Sequence, residues 1–191
     1  MQISPSAKVA LFILAATVAP AAWAHPGHGG VGFAAGFTHP FTGVDHLLAL
    51  LAIGIWAARR QGAARLGVAA LVLVSMAAGA LTAFSGFALP AIEPTIAASL
   101  VILGLALAGG ARQPGATGFA IVALFAVVHG YAHGADAAAA TMGAYLAGML
   151  LASAVLQGVG QWLGSVLRAP ALRWAGTGVA AAGALIWVVG A

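Results

Sequence analysis

Cysteine is absent from the 191 residues, and carboxylates nearly so: Asp45, Glu93 and Asp136 are the only acidic side chains. Without a thiol, disulfide frameworks, zinc fingers and thiol nucleophiles are excluded. Charge of either sign is scarce, 5% of residues against roughly 25% in a soluble domain. Seven basic and three acidic side chains are too few to give a globule of this size a polar surface. What fills the chain instead is apolar, 63% hydrophobic with a mean hydropathy of +1.07. An all-α integral membrane protein therefore replaces the soluble enzyme as the starting point. The formal charge of +4 comes from Lys8 and six arginines scattered between apolar runs. That is no basic patch, so nucleic acid is not a partner, and the charge is read as membrane topology.

The first residues look like a processing signal. Lys8 precedes the apolar run from Val9 to Val18, and Pro20 separates that run from Ala22-Trp23-Ala24. A basic start, a short hydrophobic region and a small-x-small site make a secretory signal peptide, with cleavage expected after Ala24. The division is then residues 1–24 as signal and 25–191 as one membrane domain. The mature chain begins His25-Pro26-Gly27-His28 on the outer side of the membrane.

A spanning helix needs about 20 mostly apolar residues. Six segments meet that test: Val31–Ala58, Leu66–Leu89, Ile92–Gly109, Ala116–His133, Ala138–Leu163 and Leu172–Val189. With the mature N-terminus outside, the first, third and fifth connections are cytoplasmic. Arg59, Arg60, Arg65, Arg112, Arg168 and Arg173 all fall in or beside those three connections. This is the positive-inside pattern, a signal independent of the hydropathy that defines the spans. A six-helix bundle in a bacterial inner membrane follows, with the mature N-terminus periplasmic. Glycine, 27 of 191, is about twice the usual ~7%. Gly143, Gly148, Gly176, Gly178 and Gly183 are read as small faces that let helices approach in lipid.

What remains is a short set of groups a bilayer should exclude. His39, Asp45 and His46 lie within the first span, His129 and His133 in the fourth with Asp136 just beyond, and Glu93 at the outer end of the third. An ionisable residue at such depth costs about 2.5–3.5 kcal/mol on insertion scales, so each is a functional candidate. No acid or histidine is spent elsewhere, the N-terminal His25 and His28 apart. Asp45 stands 14 residues from Arg59 and His129 17 from Arg112, about 21 and 25 Å along a helix. Both clusters therefore sit at similar height in the outer half of the membrane. Pro40 removes a backbone donor and Gly43 loosens the helix, so a break is expected between His39 and Gly43. Broken helices offer backbone groups and helix ends to ions in transporters.

Imidazole and carboxylate without sulfur make a borderline-hard site suited to divalent Ni, Co or Zn rather than Cu(I). The candidate ligands are His25, His28, His39, Asp45, His46, Glu93, His129, His133 and Asp136. His25 adds a free α-amine to its imidazole, and Pro26, lacking an N–H, excludes a site that uses its amide.

The same residues carry a resemblance. His39-Pro40-Phe41-Thr42-Gly43-Val44-Asp45-His46 resembles the HPxxGxDH signature of the HupE/UreJ family of nickel/cobalt permeases. His129-Gly130-Tyr131-Ala132-His133-Gly134 is similar to that family's second motif, HGxAHG. Where the family follows this motif with a glutamate, Asp136 stands near that place. The resemblance spans the whole chain. It implies Ni²⁺ uptake, with Co²⁺ the other candidate, supplying hydrogenase or urease through nickel chaperones and without an ATP-binding domain.

The expectation is thus a carrier or facilitator rather than an enzyme, with the ion as cargo and no permanently bound cofactor. Two rival classes set the contrast. A haem-binding electron-transfer subunit would use facing histidines such as His46 and His129, but has no use for the aspartates beside them. An intramembrane metal-dependent hydrolase would need an activated water and a general base. Asp45 offers the base, yet no HExxH helix is present.

Overall fold

The computed structural model describes residues 31–110, 115–137 and 139–190. The proposed signal segment, His25, His28 and Arg112 lie outside these residues. Seven α-helices account for nearly all of the described chain, and no strand occurs among the described residues. They are α1 (Gly32–Thr42), α2 (Val44–Ala57), α3 (Ala63–Phe84), α4 (Ile92–Ala108), α5 (Gly115–Asp136), α6 (Met142–Val166) and α7 (Ala169–Gly190), with a 3₁₀ turn at Ala139–Thr141 before α6.

The molecule is apolar on its outside. Leu66, Val74, Leu81, Leu105, Leu124, Trp174, Leu185 and Val188 are all exposed. So much exposed aliphatic surface would aggregate in water and is at home in lipid. Helices α3, α5, α6 and α7 are each long and apolar enough to cross a membrane. Together with α1–α2 they make a multi-pass membrane protein.

Three of the expected segments are changed. Val31–Ala58 is not one kinked span but two helices, α1 and α2, meeting at 77°. The segment expected to reach Leu89 ends at Phe84, because residues 85–91 turn through left-handed positions at Gly86 (φ 81°) and Ala91 (φ 55°). The Tyr131 hydroxyl accepts a 3.2 Å hydrogen bond from the Leu89 amide and pins this loop to α5. Helix α4 has 17 residues, about 25 Å of rise, which is less than the ~30 Å hydrocarbon core.

Apolar side chains gain nothing by leaving apolar lipid, so helix pairing depends on close packing at small residues. Three such seams organise the bundle. On the first, α3 and α5 run parallel: Gly79 faces the Val127 carbonyl, Gly130 the Met76 carbonyl and Gly134 the Ala80 carbonyl. On the second, α4 and α7 run antiparallel, Gly104 against Gly176 and Ala180, and Gly183 against Leu100 and Ala97. On the third, α2 and α6 run parallel, with Gly54 and Gly160 in mutual contact and Gly164 against Ile55. Helix α1 crosses the start of α6, where Gly36 meets the Tyr145 carbonyl and Gly148 the Phe33 carbonyl. A Cβ at any of these glycines would overlap backbone. Gly148, Gly176 and Gly183 thus pack as the sequence suggests, whereas Gly143 faces open space.

The described arginines gather at one end. Arg59 donates to the Gly110 carbonyl across 3.2 Å, and Arg60 lies over the rings of Trp56 (4.8 Å) and Phe119 (5.6 Å). Arg65 Nε donates to Gln161 Oε1 at 2.8 Å. Arg168 and Arg173 stand exposed around the start of α7. The contacts of Arg59, Arg60 and Arg65 join the C-terminal end of α2 to that of α4 and to the start of α5, and the start of α3 to the C-terminal part of α6.

Candidate metal site

The break between α1 and α2 is a single residue wide. The Gly43 amide donates to the His39 carbonyl (3.1 Å), closing α1, and the Gly43 carbonyl accepts from Leu47 (2.9 Å), opening α2. Pro40 is buried inside the last turns of α1. Gly43 itself adopts φ −82° and ψ 112°, an extended conformation open to any residue. Its lack of a side chain matters for another reason. A Cβ there would lie 2.8 Å from His46 Cδ2 and 3.1 Å from Asp45 Oδ1.

The bend decides which residues meet. On a continuous helix, His39 and His46 would sit two turns apart, about 10.5 Å along the axis. Across the break their ring centres are 5.6 Å apart. His133, from the middle of α5's last two turns, completes the group: its ring centre is 4.7 Å from that of His39 and 4.1 Å from that of His46. Each of the three offers a nitrogen, and these nitrogens all lie within 4.8 Å of one another. Two nitrogens bound to one ion at about 2.1 Å can be no more than about 4.2 Å apart. Any pair wider than that must draw together to share an ion.

His129, one turn before His133, places its ring 5.2 Å from His46, edge to face. Its Nδ1 lies 2.8 Å from the Phe125 carbonyl. A carbonyl only accepts, so Nδ1 carries the proton and Nε2 presents its lone pair. This is how a backbone carbonyl fixes the tautomer of a ligating histidine. His129 Nε2, His46 Nδ1 and both nitrogens of His133 are buried without a hydrogen-bond partner among the described residues. Buried polar atoms left unpaired are rare enough that each needs a reason, and a cation shared by His39, His46 and His133 supplies one for a single nitrogen of His46 and of His133.

Asp45 is half-buried in the first turn of α2, where the positive end of the helix dipole favours a carboxylate. Its Oδ2 is 3.9 Å from His46 Nε2, an electrostatic neighbour rather than a hydrogen bond. Glu93 stands exposed in the first turn of α4 and is not one of the converging set. Asp136 closes α5, and its side chain lies outside the described residues, as do His25 and His28.

Sequence reasoning passed over three polar residues. Tyr145 is buried, with its ring 6.2 Å from that of His39. Gln157 and Gln161 are buried further along α6. Being uncharged, they raise no alarm in an apolar run. Their spacing of four from Tyr145 through Met149 and Ser153 was the signal available.

A buried, sulfur-poor cluster of imidazoles beside one carboxylate is suited to a divalent transition metal. Comparison with known proteins bears on what such a site serves. Residues 13–186 match the family described as HupE / UreJ protein. The chain is 34% identical over 186 residues to Protein HupE of Rhizobium leguminosarum bv. viciae, covering 95% of this chain and 97% of that protein. No solved structure matches.

Proposed function

The chain belongs to the HupE/UreJ family, and from that premise we propose that it carries Ni²⁺, with Co²⁺ as the other candidate cargo, inward across the bacterial cytoplasmic membrane. The observation that supports this most is the convergence of His39, His46 and His133, whose nitrogens lie within 4.8 Å of one another in the interior of an apolar bundle. Ionisable groups at membrane depth mark ion pathways. Four imidazoles with Asp45 replace part of the ion's water shell, and His129 enters through Nε2. The edge-to-face contact of His46 with His129 suits a shared small ion better than the coaxial pair that a haem requires.

In this reading the cleaved N-terminus offers His25 and His28 as an outer collector, with Glu93 and Asp136 as carboxylates near the entry. The arginine end is cytoplasmic by the positive-inside rule. The six segments alternate in direction, which agrees with the parallel and antiparallel seams. No ATP is spent by this chain, nickel chaperones of hydrogenase or urease receive the ion, and the protein is not an enzyme.

The test is ⁶³Ni²⁺ uptake by metal-starved cells with and without the protein, with unlabelled Co²⁺ and Zn²⁺ as competitors and His46→Ala as control. Uptake abolished in His46→Ala supports the reading, and the competition ranks the metals. Equal uptake with and without the protein removes it.

A further inference from the structure

We propose that Gln157, with Ser153 beside it, is a second and weaker station for the transported divalent ion, lying between the histidine cluster and the arginine end. This rests on the transport reading above and adds the way out. On α6, Tyr145, Met149, Ser153, Gln157 and Gln161 follow one another at intervals of four, and all five are buried. Residues four apart are neighbours on a helix surface, so the five form one ridge about 24 Å long. Both ends are anchored by contacts. Tyr145 packs on His39 of the cluster, and Gln161 Oε1 accepts from Arg65 at the arginine end.

Gln157 is the unusual member. It is 1% exposed, and neither its amide oxygen nor its amide nitrogen has a hydrogen-bond partner among the described residues. A membrane interior gives a carboxamide no solvent to fall back on, and an apolar residue would serve packing better. Ser153 spends its hydrogen on the Met149 carbonyl (2.8 Å), so its oxygen keeps lone pairs to offer. Gly54 of α2 lies against the Gln157 carbonyl, holding this part of α6 tightly against the helix that carries His46.

The chemistry fits a step downhill in affinity. Neutral oxygen donors hold Ni²⁺ or Co²⁺ more weakly than imidazole does. Conduction needs sites strong enough to admit the ion and weak enough to release it. The Arg65 guanidinium on Gln161 lowers cation affinity at the last rung, the direction that release requires.

The experiment uses the full chain in liposomes with a Ni²⁺-responsive dye inside, beside equilibrium dialysis of ⁶³Ni²⁺ in detergent. Gln157→Leu keeps the volume and removes both amide atoms. It is expected to bind Ni²⁺ within twofold of the wild type while transporting at least tenfold more slowly. Gln157→Glu is expected to bind an additional equivalent of Ni²⁺ and to release it slowly. Gln157→Leu transport at the wild-type rate overturns the station, as does a Gln157→Leu protein that loses binding and transport together, which marks a packing residue. Wild-type vesicles that bind Ni²⁺ but take up none above protein-free ones bring down the transport reading and the station together. That failure is seen without any substitution and is therefore distinct.

Discussion

Replacing Gly43 with alanine tests whether the break between α1 and α2 exists to place His46. The backbone at Gly43 is extended and accepts alanine, so the substitution acts through one methyl group. That methyl would lie 2.8 Å from His46 Cδ2. Ordinary carbon contacts lie at about 3.5–4.0 Å, so the ring must retreat by roughly 1 Å. It can do so by leaving its rotamer, at about 0.5–1.5 kcal/mol, or by straightening the break, which alanine favours by about 1 kcal/mol over glycine. Either way the ring leaves its place beside His39 and His133. Metal bonds tolerate errors of about 0.2 Å, and comparable disturbance of ligand orientation costs about 10–100-fold in affinity. Gly43→Ala is therefore expected to fold, to unfold within a few degrees of the wild type, and to bind Ni²⁺ about 10–100-fold more weakly by equilibrium dialysis. Gly143→Ala, where a Cβ meets open space, is the matched control and should bind normally. Binding by Gly43→Ala within twofold of the wild type would refute the reasoning.

Further outcomes follow from the same geometry. Imidazole binds metal only when neutral, so protons compete with the ion and Ni²⁺ binding should weaken as the solution is made acid; an affinity that acidification leaves unchanged over the whole range in which the protein stays folded speaks against histidine ligation. The absence of native cysteine makes topology directly measurable: a membrane-impermeant maleimide on spheroplasts should label Ser85→Cys and leave Arg168→Cys unlabelled until the membrane is opened, and the reverse pattern would invert the orientation. Gly130→Val sets a branched side chain against the Met76 backbone, and overpacking of this kind typically costs about 1–3 kcal/mol or more. It should lower the detergent melting temperature clearly more than Gly143→Ala does, and equal melting of the two would deny the seam its role.

Much of the site was legible because a bilayer makes polar residues conspicuous. His39, Asp45, His46, His129 and His133 stand out against apolar neighbours, and the heights estimated from Arg59 and Arg112 correctly put the two clusters level. The bend was harder to read. Pro40 points to a break, yet the chain continues helical through it, and the direction changes at the torsions of one residue, Gly43. Whether His39 and His46 share a face or meet across a corner depends on those angles, which no periodicity encodes. Glycines announce close packing, but which helices they join is a property of the assembled bundle; Gly143 and Gly148 look alike in sequence and differ entirely in surroundings. Gln157 and Gln161 escaped notice because hydropathy patterns single out charge more sharply than neutral amides.

The seams carry a mechanical consequence. Helices α1 and α2 are clasped to α6, and α3 is clasped to α5, each by backbone-to-backbone contacts that leave no room for sliding within a pair. The histidines are shared between these two bodies, His39 and His46 on one, His129 and His133 on the other. A few tenths of an ångström of relative displacement between the bodies passes undiminished into the nitrogen-to-nitrogen distances, like the jaws of a caliper. An ion that draws the nitrogens together must draw the bodies together as well, and parting the bodies must loosen the ion.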